Sequence, residues 1–401
     1  MTSPSPNSCG ALEGLLVIEA GQLIAGPFCG QLLGDMGATV IKIEPPGAGD
    51  PMRAWGQGAP VWWEVIARNK QSVSIDLRKP EGQALARGLA AKADIFIENF
   101  RPGTLEGWNL GTDALHAENP GLVMVRMSGY GQDGPYAGRA GFGGIGEAMG
   151  GWRAIVGEPD RPPARMGVSI GDTLTATFGC MGALAALRAR DRTGEGQVVD
   201  CALYESVLQV MESLVPEYTA TGVARRRSGA ILPGVAPSNV YPCADGEYLI
   251  GANGDGVFRR LCEAMGRPEL AEDPRYRTDA SRGANQAELD ALIGDWTQRF
   301  AVDALEALMT AHGVPAGRIY RPADMLDDPH FAARQALVSF PDHPRWPGLT
   351  MQNAFPRLSA TPSSIRRIAP QTVGQDNAEV FGRYLGLGAA ALEKLAGDMI
   401  I

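Results

Sequence analysis

The sequence is poor in the features that would tie it to metal, nucleic acid or membrane. Its six cysteines, Cys9, Cys29, Cys180, Cys201, Cys243 and Cys262, include no CxxC pair. Several sit inside apolar runs, so they read as buried thiols in a reducing compartment. Only four histidines occur, His116, His312, His330 and His343, widely dispersed and without an HExxH motif, so no metal centre is expected. Basic residues are outnumbered, 36 Lys and Arg against 45 Asp and Glu, for a net charge of -9. That balance argues against nucleic acid as a partner. The N-terminus is Ser/Pro-rich without a basic n-region, and no run reaches the ~18 uninterrupted apolar residues that span a bilayer. The expectation is a cytoplasmic protein with no membrane partner. There is no GxxxxGK[ST] loop and no internal repeat.

What is present is an ordinary globular composition, 45% hydrophobic and 20% charged over 401 residues, enough chain for two or three domains. Strand and helix patterns alternate through the first half. Strands are predicted at 15–19, 39–44, 73–77, 95–98, 122–127 and 198–202. Helices are predicted through Leu33, over 80–91, over 173–188 and over 204–218. This βαβ rhythm predicts an α/β fold, a mostly parallel sheet with helices on both faces. Composition shifts at Arg225, Arg226 and Arg227. Beyond them a strand at 248–251 and helices at 257–265 and 286–300 form a smaller α+β unit, and a Pro-rich tail starts at Leu337.

The stretch Gly167-Val168-Ser169-Ile170-Gly171-Asp172-Thr173 runs into the longest apolar helix. Asp172 stands where an N-cap belongs, and the helix dipole favours an ionised carboxylate there. The same stretch matches the GxSxG elbow of hydrolases, with Ser169 as nucleophile, but the elbow needs a strand leading into the serine. Pro162, Pro163, Ala164 and Arg165 are poor strand material. Gly141-Phe142-Gly143-Gly144-Ile145-Gly146 satisfies GxGxxG without a strand directly before it, a weak dinucleotide signal. The arginine run reads as a solvated charge cluster or as a fork for a carboxylate or phosphate. The 228–234 segment after it has glycines at 229 and 234 to hinge a lid. Trp62, Trp63 and Phe142 read as packing residues.

Several segments fall together in order: Gln22-Leu23-Ile24-Ala25-Gly26-Pro27, Thr39-Val40-Ile41-Lys42-Ile43-Glu44, Gly47-Ala48-Gly49-Asp50-Pro51, Asn69-Lys70-Gln71-Ser72, Glu98-Asn99-Phe100-Arg101-Pro102-Gly103 and Thr193-Gly194-Glu195-Gly196-Gln197. Together they resemble the class III CoA-transferases, the family of formyl-CoA and carnitine CoA-transferases, over nearly the whole chain. The resemblance implies a Rossmann-like large domain from residues 1–222, a small α+β domain at 223–325 and a C-terminal return to the large domain at 326–401. It also implies an interlocked homodimer. The substrates it implies are an acyl-CoA and a carboxylic acid, with the CoA thioester a substrate and no cofactor tightly bound.

The family's nucleophile is an aspartate in a Gly-Asp step ahead of a helix, matched here by Asp172. By the same resemblance the CoA contacts are Gln22, Leu23, Ile24, Ala25, Ile75, Arg78, Asn99, Phe100, Arg101 and Arg139. Gly229, Gly234 and Arg227 are the counterparts of the flap and substrate side. Where the family often has a basic residue this chain has Gly107, and Arg101 is the substitute. Gly143 replaces an acid, leaving Glu147 nearest. Methylacyl-CoA racemases of the same superfamily resemble Gly-His-Asp where this chain has Gly141-Phe142-Gly143, so their histidine is missing. The reading is CoA transfer, with succinyl-CoA and a C4–C5 dicarboxylate as substrates. Racemase-like isomerisation and Ser169 hydrolysis are the alternatives.

Overall fold

The structure, a computed structural model, describes residues 10–401. Its larger unit takes the chain through Trp152, Met166–Leu214 and Leu337–Ile401, and its smaller unit takes Arg153–Arg165 and Val215–Ala336.

Six short strands, β1 (Leu16–Glu19), β2 (Thr39–Glu44), β3 (Lys70–Ser74), β4 (Ile95–Glu98), β5 (Val123–Ser128) and β6 (Val198–Ala202), build the larger unit's main sheet. All neighbours are parallel, in the order β3-β2-β1-β4-β5-β6. Successive side chains of a strand face opposite sides, and both sides are apolar here. Leu16, Ile18, Ile41, Ile43, Phe96 and Met124 join the Pro80–Ala90 and Asn377–Leu385 helices on one face. Val17, Val40, Ile95, Ile97, Val123 and Val125 meet the Ala25–Asp35 and Ile170–Thr193 helices on the other. The chain reverses direction across the sheet between β1 and β4. In an open α/β sheet the loops diverge at such a point and leave a crevice at the strands' C-terminal ends.

The smaller unit has its own core around Tyr241, Tyr248, Ile250, Phe258 and Leu261. It rests on an antiparallel sheet of β7 (Ser238–Pro242), β8 (Glu247–Gly251) and β9 (Ala316–Arg318). In the larger unit, β10 (Leu337–Phe340) and β11 (Leu349–Gln352) form a separate hairpin pair.

Three elements differ from the sequence expectation. The third strand begins at Lys70 rather than Val73, because Lys70 is buried against Glu19 and a paired charge takes an interior place that the apolar count missed. The helix expected over 204–218 is two, Leu203–Leu208 and Leu214–Thr221, with Glu212 at φ 51 between them. The central helix starts at Ile170 with Ser169 as its N-cap, so Asp172 is the third helical residue and not the cap. It ends where Gly194 takes the left-handed conformation, φ 78. Among the described residues this is the one helix whose length and hydropathy would suit a bilayer. It packs instead on the sheet through Ala176, Cys180, Ala183 and Leu187.

Candidate active site

A cavity of roughly 390 Å³ opens at the C-terminal ends of β1, β4 and β5. Gln22, Leu23, Ile24 and Ala25 line it from the turn after β1, and Asn99, Phe100 and Arg101 from the turn after β4. Ser128 and Gly129 end β5, Gly141 and Phe142 come from the following loop, and Asp172 and Leu203 complete the wall. These residues come from distant parts of the chain, and the strand order brings them to one place.

The two turns are locked together by one side chain. Asn99 Oδ1 accepts the Gln22 N–H at 2.7 Å, and its Nδ2 donates to the Gln22 carbonyl at 2.8 Å. An aspartate would accept the first bond and lack the donor for the second. The Ala25–Asp35 helix begins at the cavity wall. The Ala25 and Gly26 N–H groups of its first turn have no carbonyl one turn back, and Pro27 carries no N–H, so these two donors and the helix dipole favour negative charge there.

Below the Asn99 turn lies a buried ion pair. Glu98 Oε1 accepts from Arg126 Nε at 2.8 Å and its Oε2 from the Phe100 N–H at 2.7 Å, while Arg126 Nη1 reaches Glu106 at 2.8 Å. Burial pushes the Glu98 carboxyl up to about 7, and the Arg126 guanidinium only partly opposes it. Phe100 packs edge-on against Trp108, with centroids 5.2 Å apart.

Asp172 is held half-buried at the wall by close backbone packing. A Cβ on Gly143 would lie 2.1 Å from Asp172 Oδ2, and one on Gly171 would lie 2.8 Å from the Gly143 carbonyl oxygen. Gly129 and Gly141 approach as closely, a Cβ on Gly129 falling 2.9 Å from Gly141 Cα. The glycine-rich stretch is thus packing surface for the carboxylate and not a dinucleotide loop. Its neighbour Phe142, expected to pack, is 70% exposed and lines the cavity. Ser128, Phe142 and Leu203 were not marked by the sequence, since their role depends on which loops meet. The one available signal was Phe142, an aromatic residue between glycines.

The other anticipated residues lie elsewhere. Ile75 is in the hydrophobic core beside Leu77 and Leu85. Arg78 is exposed and forks onto Asp76 at 2.8 and 2.9 Å. Arg139 lies over the Tyr136 ring, 3.6 Å from its centroid. None of the three lines the cavity. In the smaller unit Arg227 donates to the carbonyls of Glu158, Pro159 and Arg161, and Arg225 pairs with Glu217 at 2.8 Å. Arg226 is exposed. Gly229 (φ 66) and Gly234 (φ 81) are both left-handed. The Gly229 N–H donates to Gly157 and the Gly234 N–H to Gln286 Oε1.

Ser169 lacks the setting of a hydrolase elbow, because no strand is formed between Ser128 and Val198 among the described residues. Among the described residues no histidine lines the cavity. His343 is buried against Glu64 at 3.0 Å.

The match to CoA-transferase family III runs over residues 12–377. The chain is 57% identical over 395 residues to the succinyl-CoA–D-citramalate CoA-transferase of Chloroflexus aurantiacus, covering 97% of this chain and 98% of that one. It is 36% identical over 387 residues to the succinate–glutarate CoA-transferase of Agrobacterium fabrum, covering 94% and 96%. A CAIB/BAIF family protein from Brucella suis, known from a crystal structure, superposes with a TM-score of 0.83 at 35% identity, over 94% of this chain and all of that one, 100%. With its parallel sheet, its half-buried aspartate and relatives that span its length, the chain belongs to CoA-transferase family III.

Proposed function

We propose that this enzyme moves CoA from succinyl-CoA to a C4–C5 dicarboxylic acid, D-citramalate first among them, with Asp172 as the nucleophile. The observation that carries the chemistry is the Asp172 carboxylate in the wall of a cavity whose other walls are mostly apolar side chains and backbone. The choice of acids rests on the 57% identity to the citramalate enzyme.

In this reading an Asp172 oxygen attacks the thioester carbonyl carbon. The C–S bond breaks, giving a succinyl-aspartyl anhydride and CoA thiolate. The thiolate then attacks the Asp172 carboxyl carbon, releasing succinate and leaving an aspartyl-CoA thioester. The acceptor carboxylate attacks the same carbon, forming a second anhydride and freeing the thiolate again. Thiolate attack on the acceptor's acyl carbon yields the new thioester and restores the Asp172 carboxylate. No net proton moves, so no acid–base residue is required. The site's work is to exclude water from the anhydrides and to stabilise each tetrahedral oxyanion. The Ala25 and Gly26 N–H groups at the start of the Ala25–Asp35 helix are the donors we assign to that task.

Gln22, Leu23, Ile24, Ala25, Asn99, Phe100 and Arg101 are read as the CoA-side contacts, supported by their place around Asp172. We also read the enzyme as a cytoplasmic homodimer. Support comes from β6 as an edge strand and from Met181, an apolar side chain 59% exposed on a helix whose opposite face packs in the core. Incubation with succinyl-CoA and hydroxylamine, followed by peptide mass spectrometry, tests the nucleophile. A hydroxamate at Asp172 is expected, together with a loss of roughly a thousandfold in transfer for Asp172→Ala. Transfer that survives in that variant overturns the reading.

A further inference from the structure

The turn after β1 carries four of the cavity's lining residues, and it rests on buried charges that do not line the cavity themselves. Lys42, on β2, is 1% exposed. Its ammonium lies 2.9 Å from Asp50 Oδ2 and 3.4 Å from Glu19 Oε1, and it donates to the Gly21 carbonyl. Asp50, equally buried, accepts the Leu23 N–H at 3.1 Å and the Met52 N–H at 2.9 Å through its other oxygen. The turn is therefore gripped from beneath at both ends, its first carbonyl by a cation and its third N–H by the paired anion. Leu23 is held at φ 62, a conformation that leucine rarely adopts without outside support.

The pair belongs to a wider balanced set. Lys70 binds Glu19 at 2.6 Å, and Arg53 binds Glu44 at 2.7 Å. Burial works against the charge on Lys42, but Asp50, Glu19 and Glu44 outweigh it, and the ammonium titrates above its ordinary value. Burial likewise opposes ionisation of Asp50, and Lys42 and the two N–H donors overcome it. Both groups are charged, although apolar side chains of similar size would often fill such a place with no loss of stability. Buried charge here is better explained by what it orients.

We propose that Lys42 and Asp50 are positioning residues for CoA transfer, fixing the Gly21–Leu23 backbone so that the thioester is presented to Asp172 at a set distance. This rests on the reading of the cavity as the thioester site. Neither residue touches substrate; they act through the turn.

The test uses the full-length enzyme with Asp50→Asn, Lys42→Met and the double variant. The double variant removes one charge of each sign and leaves the Glu19–Lys70 and Glu44–Arg53 pairs intact. Amide hydrogen exchange of the 21–25 segment is expected to speed up. With succinyl-CoA and D-citramalate, kcat is expected to fall about a hundredfold, with KM for succinyl-CoA within about threefold and the melting temperature retained. If the double variant does not fold, the isosteric Asp50→Asn carries the test on the same criteria. A kcat within about tenfold of the parent, per folded enzyme, overturns the proposal, as does a loss confined to KM. Asp172→Ala is assayed alongside. Full transfer by that variant condemns the site reading, whereas a faster-exchanging turn with undiminished kcat condemns the positioning role alone.

Discussion

The Cα of Gly143 lies directly against the carboxylate of Asp172, so close that a methyl group on Gly143 would come within 2.1 Å of Oδ2 and 2.9 Å of Cγ. Gly143 opens the Gly143–Met149 helix, and Asp172 sits in the first turn of the Ile170–Thr193 helix. Each helix start limits where the other can go.

Gly143→Ala is therefore expected to displace the carboxylate while keeping the fold, since alanine is the better helix former. Transfer should fall by about a hundredfold with the melting temperature unchanged or slightly raised. Activity near the parent's, measured beside thermal unfolding, would show that the carboxylate does not need this position.

Ser169 separates transfer from hydrolysis. It is the N-cap of the Ile170–Thr193 helix, yet its hydroxyl makes no capping bond. Ser169→Ala should leave CoA transfer within about threefold of the parent. Abolished turnover in a folded variant would revive the serine as nucleophile.

Glu98 makes stability depend on pH. Its carboxyl moves from an ordinary 4.5 to about 7, because burial disfavours the charge more than Arg126 restores it. The folded state then holds the proton where the unfolded chain has released it. This contribution is complete below about pH 4.5 and is lost as pH rises through 7, by about 3 kcal/mol in all. In chemical denaturation, the stability of the parent relative to Glu98→Gln should fall between pH 5 and pH 8. Parallel curves would mean that Glu98 is ionised throughout.

The arginine run divides into structural and available members. Arg227 is committed to backbone carbonyls and Arg225 to Glu217, while Arg226 is exposed. Arg227→Ala should cost about 1 kcal/mol and lower the melting temperature by about 2–4 °C. Arg226→Ala, which removes an exposed side chain, should leave the melting temperature alone. The reverse pattern in thermal unfolding would make Arg226, and not Arg227, the structural member.

Much of the fold follows from local rules that the sequence states openly. The apolar runs at Val17 and Ile18, Val40 and Ile41, and Ile95 to Ile97 are strands because both faces of a parallel sheet are covered, and Gly194 ends the long helix because it alone relaxes at φ 78. Lys70 escaped this reasoning, since a buried lysine is tolerable only when its partner, Glu19 on another strand, is known. The Gly-Asp step picked out Asp172 through family resemblance, but local signals made it a cap, and the helix begins one turn earlier than they indicate.

The amino-acid sequence by itself determined the alternation of strand and helix, the family and the candidate nucleophile, because each is written in nearest-neighbour patterns or in spaced motifs. Only the tertiary structure decided that Gln22, Asn99, Phe142 and Asp172 share one cavity, and that Ile75 and Arg78 do not line it. The physical reason is the reversal of strand order between β1 and β4. It separates two loops to open the crevice, and the long-range pairings that produce it leave no mark on any single stretch of chain.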